Sequence, residues 1–201
     1  MYRDLGRVEE AERLYIEALR LSRAIHGSEH THTLRVMNSL AVLYQKEGRY
    51  AEAEPLLLEA IERQSSRVGR RHHNVLAYLN NIGRLYEQMG RLDEADAILT
   101  EALASSREVL GPDHRGTLYT MTALGRVRSR LGDRAGGEAL LREALDGWRS
   151  RAGPDSDEAR SVEGLLEGLQ GGEGSEPEFP GSQPTEKTSP QRAPAIRKSS
   201  V

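Results

Sequence analysis

The sequence predicts an all-α protein, a right-handed superhelical solenoid of antiparallel helix pairs. Three observations carry this: a fixed period, two runs of apolar residues at helical spacing in each period, and glycines that end each run. The period is 42 residues. Gly6, Gly48, Gly90 and Gly132 follow it, as do Gly27, Gly69, Gly111 and Gly153, Ala18, Ala60, Ala102 and Ala144, and Glu17, Glu59, Glu101 and Glu143, each set at steps of 42. Several ladders in one register exclude coincidence.

Taken in order, residues 1–30 form a partial first repeat. Its helix A is cut to Met1–Leu5, and its helix B carries Leu14, Tyr15, Ala18 and Leu19. The first full repeat spans 31–72. Met37, Leu40, Ala41 and Tyr44 mark helix A, and Ala53, Leu57, Ala60 and Ile61 mark a helix B from Tyr50 to Val68, about 28 Å long. The glycine after each helix is expected to take a left-handed conformation that only Gly adopts cheaply. Residues 73–114 repeat the pattern, and 115–156 degrade it. Arg128 stands where Tyr44 and Tyr86 stand, and Gly136-Gly137 lies inside helix B, where each Gly costs up to about 1 kcal/mol relative to Ala, so this unit is expected to be the least stable. Residues 157–170, with Ala159, Val162, Leu165, Leu166 and Leu169 at helical spacing, read as a capping helix. The stretch 171–201 is rich in Gly, Pro and Ser and reads as a disordered tail, because it has too little apolar surface to offset ordering entropy.

Composition bounds the function. The chain has 201 residues, 37% of them apolar, no cysteine and a formal net charge of −3. Disulfides, thiolate nucleophiles and cysteine-based metal sites are excluded, a reducing, cytoplasmic setting is expected, and no global field points to nucleic acid or membrane. The N-terminus has no apolar leader region, and no stretch nears the ~18 apolar residues of a membrane span.

Particular residues carry a family resemblance. The series Leu40, Ala41, Tyr44, Ala53, Leu57, Ala60 and its echo Ile82, Gly83, Tyr86, Ala95, Leu99, Ala102 resemble the large-small-aromatic-small-large-small pattern of tetratricopeptide repeats. Leu-Asn-Asn-Ile at 79–82, Ala-Glu-Pro-Leu at 53–56 and Leu-Gly-Pro-Asp-His at 110–114 resemble the 42-residue variant seen in kinesin light chain and related arrays. The resemblance covers about residues 5–156. Against a standard repeat of 34 residues, the eight extra lengthen helix B and its exit loop.

The resemblance implies a ligand surface on the helix A face opposite the intra-pair core. On a helical wheel that face holds Arg35, Asn38, Ser39, Val42, Gln45 and Lys46; Ala77, Asn80, Asn81, Arg84, Glu87 and Gln88; and Tyr119, Thr122, Ala123, Arg126, Ser129 and Arg130. Five are basic and one is acidic, the reverse of the chain's overall sign. Asn81 matches a position that clamps ligand backbone in related arrays, whereas its equivalents Ser39 and Ala123 depart from it. Arg84, Arg126 and Arg130 supply charge-assisted bonds to carboxylate or phosphate. The expected function is therefore a protein-interaction scaffold that binds an extended acidic peptide, as a fragment or regulatory part of a larger protein. A kinesin light chain-like cargo adaptor is the alternative. Single-stranded nucleic acid is disfavoured, because Tyr119 is the only aromatic on that face and stacking platforms use several. Self-association through the exposed N-terminal repeat edge is a further expectation.

Catalysis and cofactors are not expected. No nucleophile-elbow, zincin, phosphate-loop or dinucleotide fingerprint is present. His30, His72 and His114 obey the 42-residue step, so they occupy equivalent loops instead of converging on one metal ion. Acidic pairs such as Asp93-Glu94 open helix B and complement its dipole. The ending Ser199-Ser200-Val201 resembles a PDZ-binding terminus, and Arg197-Lys198-Ser199 a basophilic phosphorylation site.

Overall fold

The computed structural model describes residues 7–171, which form eight α-helices. They are α1 (Val8–His26), α2 (Thr31–Lys46), α3 (Tyr50–Val68), α4 (His73–Gln88), α5 (Leu92–Leu110), α6 (Arg115–Arg130), α7 (Arg134–Ala152) and α8 (Asp157–Gly171). The even-numbered helices are helix A of successive units and the odd-numbered ones helix B. Helix α3 has the bounds that its apolar spacing predicts. The tail read from composition, with its two terminal motifs, lies outside the described residues, as does Gly6.

Each helix packs on its chain neighbours. The even-numbered helices also touch one another, α2 on α4, α4 on α6 and α6 on α8, whereas the odd-numbered ones make no contact of similar extent. Closer spacing along one row bends the stack toward it, so α2, α4, α6 and α8 form the inner row. The core runs the length of the stack through Leu34, Met37, Leu57, Ile82, Leu99, Leu124 and Leu141, all buried.

The chain turns are built alike. Gly27, Gly69, Gly111 and Gly153 close the helix B segments with positive φ, at Gly27 φ 87° and ψ 166°. This is the extended mirror region, not the left-handed helical one that the sequence suggested. It is restricted to glycine still more tightly. Helix A then starts on a histidine cap. The Nδ1 atoms of His30, His72 and His114 accept from the backbone N–H of His32, Asn74 and Gly116 at 3.2, 3.2 and 3.1 Å. At the next step of the ladder, the Ser156 hydroxyl accepts from the Ala159 N–H at 3.3 Å. Helix α8 thus begins one period after α6, in the place of a helix A.

A second ladder ties each helix B to the unit after it. Arg49 lies over the Tyr44 ring, 4.2 Å from its centroid, and donates to Glu12 (2.6 and 2.9 Å) and Glu52 (2.7 Å), while the Tyr44 hydroxyl donates to Glu12 at 3.0 Å. The Arg49 guanidinium holds the Glu12 carboxyl below its usual range. One unit on, Arg91 lies over Tyr86 at 4.0 Å and donates to Glu54 (2.7 Å) and Glu94 (2.6 Å). In the next unit, Arg128 itself donates to Asp96, the counterpart of Glu12 and Glu54, at 3.0 Å. Asp133, standing where Arg49 and Arg91 stand, caps α7 by accepting from the Gly136 N–H at 3.0 Å. The cation has moved from the loop to the helix, and the acid has kept its partner.

Candidate functional site

The inner row presents two adjoining hollows. The first, of about 430 Å³, lies between α4, the end of α5 and the start of α6, and its wall includes Leu76, Ala77, Asn80, Asn81, Arg84, Leu110 and Tyr119. The second, of about 370 Å³, lies between α4, α6 and the start of α8, against Arg84, Tyr119, Thr122, Arg126, Trp148 and Glu158. Asn80, Arg84 and Tyr119 belong to both. The first hollow exists because of two local departures from the repeat. Ser106 stands where Gln64 and Trp148 stand in the flanking units, and Gly116 where Asn74 and Glu158 stand.

Arg84 stands out among the groove cations. Its side chain reaches solvent, yet it sits on a concave floor with many protein atoms around it. That burial, followed by the neighbouring Arg126 charge, pushes its pKa down from the ordinary arginine value. A guanidinium remains charged under such pressure. Arg84 makes no hydrogen bond or ion pair among the described residues. Arg126, by contrast, donates to both oxygens of Glu87 (3.0 and 2.5 Å), and Arg130 donates to the Glu87 carbonyl at 2.9 Å. The Glu87 side chain is only 6% exposed, so this pairing is shielded from water. The one acid of the predicted face is therefore taken up chiefly by Arg126, with Arg130 beside it.

The remaining predicted residues separate into engaged and open ones. Asn81 donates to Asn38 Oδ1 at 2.8 Å, a link between successive inner helices that leaves each amide with further capacity. Asn80 is buried and donates to Thr120 at 3.0 Å, and the Thr122 hydroxyl donates to the Leu118 carbonyl at 2.9 Å. Ser39 and Val42 are half-buried on α2. Arg35 and Lys46 are exposed, without an ion pair among the described residues, and line neither hollow. Tyr119, 40% exposed, packs edge-on against Trp148 at 4.8 Å and donates to Glu158 at 3.1 Å.

Sequence reasoning missed the contribution of α8 and of helix B. Asp157 and Glu158 make the far end of the groove acidic, and Trp148 from α7 forms part of its wall. The 42-residue step that places Glu158 opposite Gly116 and Asn74 was the available signal. At the N-terminal edge, Leu19 is buried, while Leu14 and Ile25 are 50% and 71% exposed. Among the described residues no three His, Asp or Glu side chains converge as a metal site, and no helix is long and apolar enough to cross a membrane.

Stacked helix pairs with a continuous inner row define a repeat scaffold whose ligand surface is assembled from several units. The chain belongs to the tetratricopeptide repeat family, whose sequence model matches residues 1–66, 38–108 and 74–150. Among solved structures, it is similar to a Podosopora anserina kinesin light chain with nearly identical TPR-like repeats. That likeness has 23% identity and a TM-score of 0.69, and it covers 84% of this chain and 80% of that one. A point variant of the same Podosopora protein gives a TM-score of 0.71 at 23% identity, over 84% and 79% of the two chains. BtubC (BKLC) from P. vanneervenii is 26% identical with a TM-score of 0.66, over 81% of this chain and 63% of that one. No curated protein matches the sequence. Fold and family together make this a protein-interaction scaffold of kinesin light chain-like architecture.

Proposed function

We propose that the chain binds an extended acidic segment of another protein along its inner row, with Arg84 as the principal anchor. The observation that supports this is an exposed guanidinium with no acid bonded to it among the described residues, set between two hollows and facing a second cation. A carboxylate at Arg84 gains charge-assisted, bidentate bonds and offsets the repulsion from Arg126. Asn81 and Asn38 retain amide capacity for the ligand backbone, and Arg35 and Lys46 continue positive charge along α2. Asp157 and Glu158 repel acid at the other end, which sets the direction in which a ligand of uneven charge lies. The role is that of a binding module working in a reducing, cytoplasmic setting, and cargo adaptation is its more specific form.

The test is fluorescence polarisation of acidic, neutral and basic extended peptides against the full chain at two salt concentrations. Only acidic peptides are expected to bind, more weakly as salt rises. Arg84→Glu is expected to lower affinity about 10- to 100-fold, as loss of a charge-assisted bond worth about 1.5–3 kcal/mol implies, with an unchanged circular dichroism spectrum. Equal binding of all three classes, or none, overturns the reading.

A further inference from the structure

We propose that α1 is a self-association edge, through which two copies of this chain pair antiparallel about a two-fold axis near Ala18. The repeat itself shows which face of α1 is free. In α7, Leu141 and Gly147 lie against Gly125 and Leu118 of α6, so these positions face helix A of their own unit. Their counterparts three periods earlier are Tyr15 and Leu21 of α1. Among the described residues no helix A lies there. Leu14 is accordingly 50% exposed where its counterpart Leu140 is 9%, and Tyr15 and Ala18 are half-buried where Leu57, Leu99, Ala60 and Ala102 are wholly buried. Leu19, on the side of the next unit, is buried like its counterparts Ile61 and Leu103. The uncovered residues Leu14, Ala18, Leu21 and Ile25 form one stripe along the helix, at spacings of four and three.

Charge and size choose a second copy, set antiparallel. Acid is gathered in the first turn of α1, at Glu9 and Glu10, and base in its last turn, at Arg23 and His26. Antiparallel pairing sets the acidic turn of each copy beside the basic turn of the other and opposes the two helix dipoles, whereas parallel pairing sets like charge on like. About an axis near Ala18, the small residue of each copy meets the other and lets the backbones approach, and Ile25 of one copy falls over Ala11 of the other. The opposite edge of the stack excludes the stripe. Helix α8 occupies the place of a helix A, and there the counterparts of Leu118, Met121 and Gly125 are Arg160, Glu163 and Glu167. Docking α1 on that face would bury charge against leucine, so copies do not add head to tail and association closes at two. Neither hollow beside Arg84 has a wall from α1, so both grooves stay open in the pair.

Sedimentation equilibrium of the full chain tests this. The mass is expected to rise with concentration from one chain to two and no further. Leu14→Glu with Leu21→Glu, both at exposed positions, should weaken the pair by about 30-fold or more, as loss of central anchors implies, with an unchanged circular dichroism spectrum. The geometry is tested separately by oxidising single-cysteine variants, since the chain has no cysteine of its own. Ala18→Cys should form a disulfide between copies. Ile25→Cys should not, because antiparallel pairing sets it opposite Ala11, about 21 Å along the axis from its own copy, and a disulfide spans at most about 7 Å between Cα atoms. A single chain at every concentration, a mass beyond two chains, or a pair that survives both glutamates overturns the inference, as does cross-linking through Ile25→Cys but not Ala18→Cys. The double glutamate variant should bind acidic peptide as the unaltered chain does. Weaker binding would place the α1 edge within the ligand surface and overturn the inference, whereas absence of acidic-peptide binding in every form sinks the groove reading alone.

Discussion

The unit of α4 and α5 and the unit of α6 and α7 occupy successive periods of one repeat, yet hold themselves together by different chemistry. In the former, Tyr86 under Arg91 clasps Glu54, and Ala95 packs fully buried against the facing helix. In the latter, Arg128 bonds Asp96 directly, Gly137 replaces the alanine, and Trp148 fills the place of Ser106. A count of helix propensities ranks the second unit as the weaker. The packing shows what the count leaves out. A Cβ on Gly137 would meet the Ser129 hydroxyl and lie 2.6 Å from the Gly125 carbonyl oxygen, so the glycine permits a closer approach of α6 and α7 than alanine allows. Backbone proximity at Gly137 and the buried Trp148 indole act against what is lost in backbone entropy.

The largest effect expected from breaking this comparison is at Trp148, which is 3% exposed. Trp148→Ala should destabilise the chain by about 3–5 kcal/mol in chemical denaturation. At the equivalent position one unit closer to the N-terminus than Ser106, Gln64 is fully buried with neither amide atom bonded to protein, so Gln64→Met should raise the denaturation midpoint. Destabilisation by Gln64→Met would show that its amide is satisfied in solution and that the equivalence of the two sites is only geometric.

A smaller effect tests the glycine. Gly137→Ala is expected to destabilise by about 1–3 kcal/mol, the overpacking penalty, although propensity alone favours alanine by up to about 1 kcal/mol. A stabilised variant would return the fourth unit to the ranking that composition suggests.

The smallest effect concerns the caps. His72 must accept at Nδ1 to cap α4, and burial, then His73 and Arg67, push its pKa below the ordinary histidine value. A base with a depressed folded pKa contributes stability that is present above its unfolded value of about 6.5 and is lost as pH falls through the folded value. Thermal stability should therefore drop between about pH 7 and pH 5. His72→Ser, which copies the cap at Ser156, should remove part of that slope. An unchanged slope would show that the His72 cap does not carry it.

Much of the fold was legible because a repeat states its geometry several times. The bounds of α3, the inner and outer rows and the position of α8 all follow from the period, since backbone conformation and core spacing are local and recur. The site was legible in part. Wheel positions picked out Asn80, Asn81, Arg84, Tyr119, Thr122 and Arg126, which do line the hollows, but treated Arg84, Arg126 and Arg130 alike. Which arginine is neutralised depends on Glu87, 39 residues before Arg126 in the chain and beside it in space.

By itself, then, the sequence determined the class of fold and the order of its helix pairs along the chain, because these depend on spacing along the chain. Only the tertiary structure decided that Arg84 has no bonded acid among the described residues while Arg126 and Arg130 share one, that Ser106 and Gly116 border a hollow, and that α8 brings acid to one end of the groove. Those facts arise between units, where side chains compete for the same space and the same charge, and no single repeat contains the outcome.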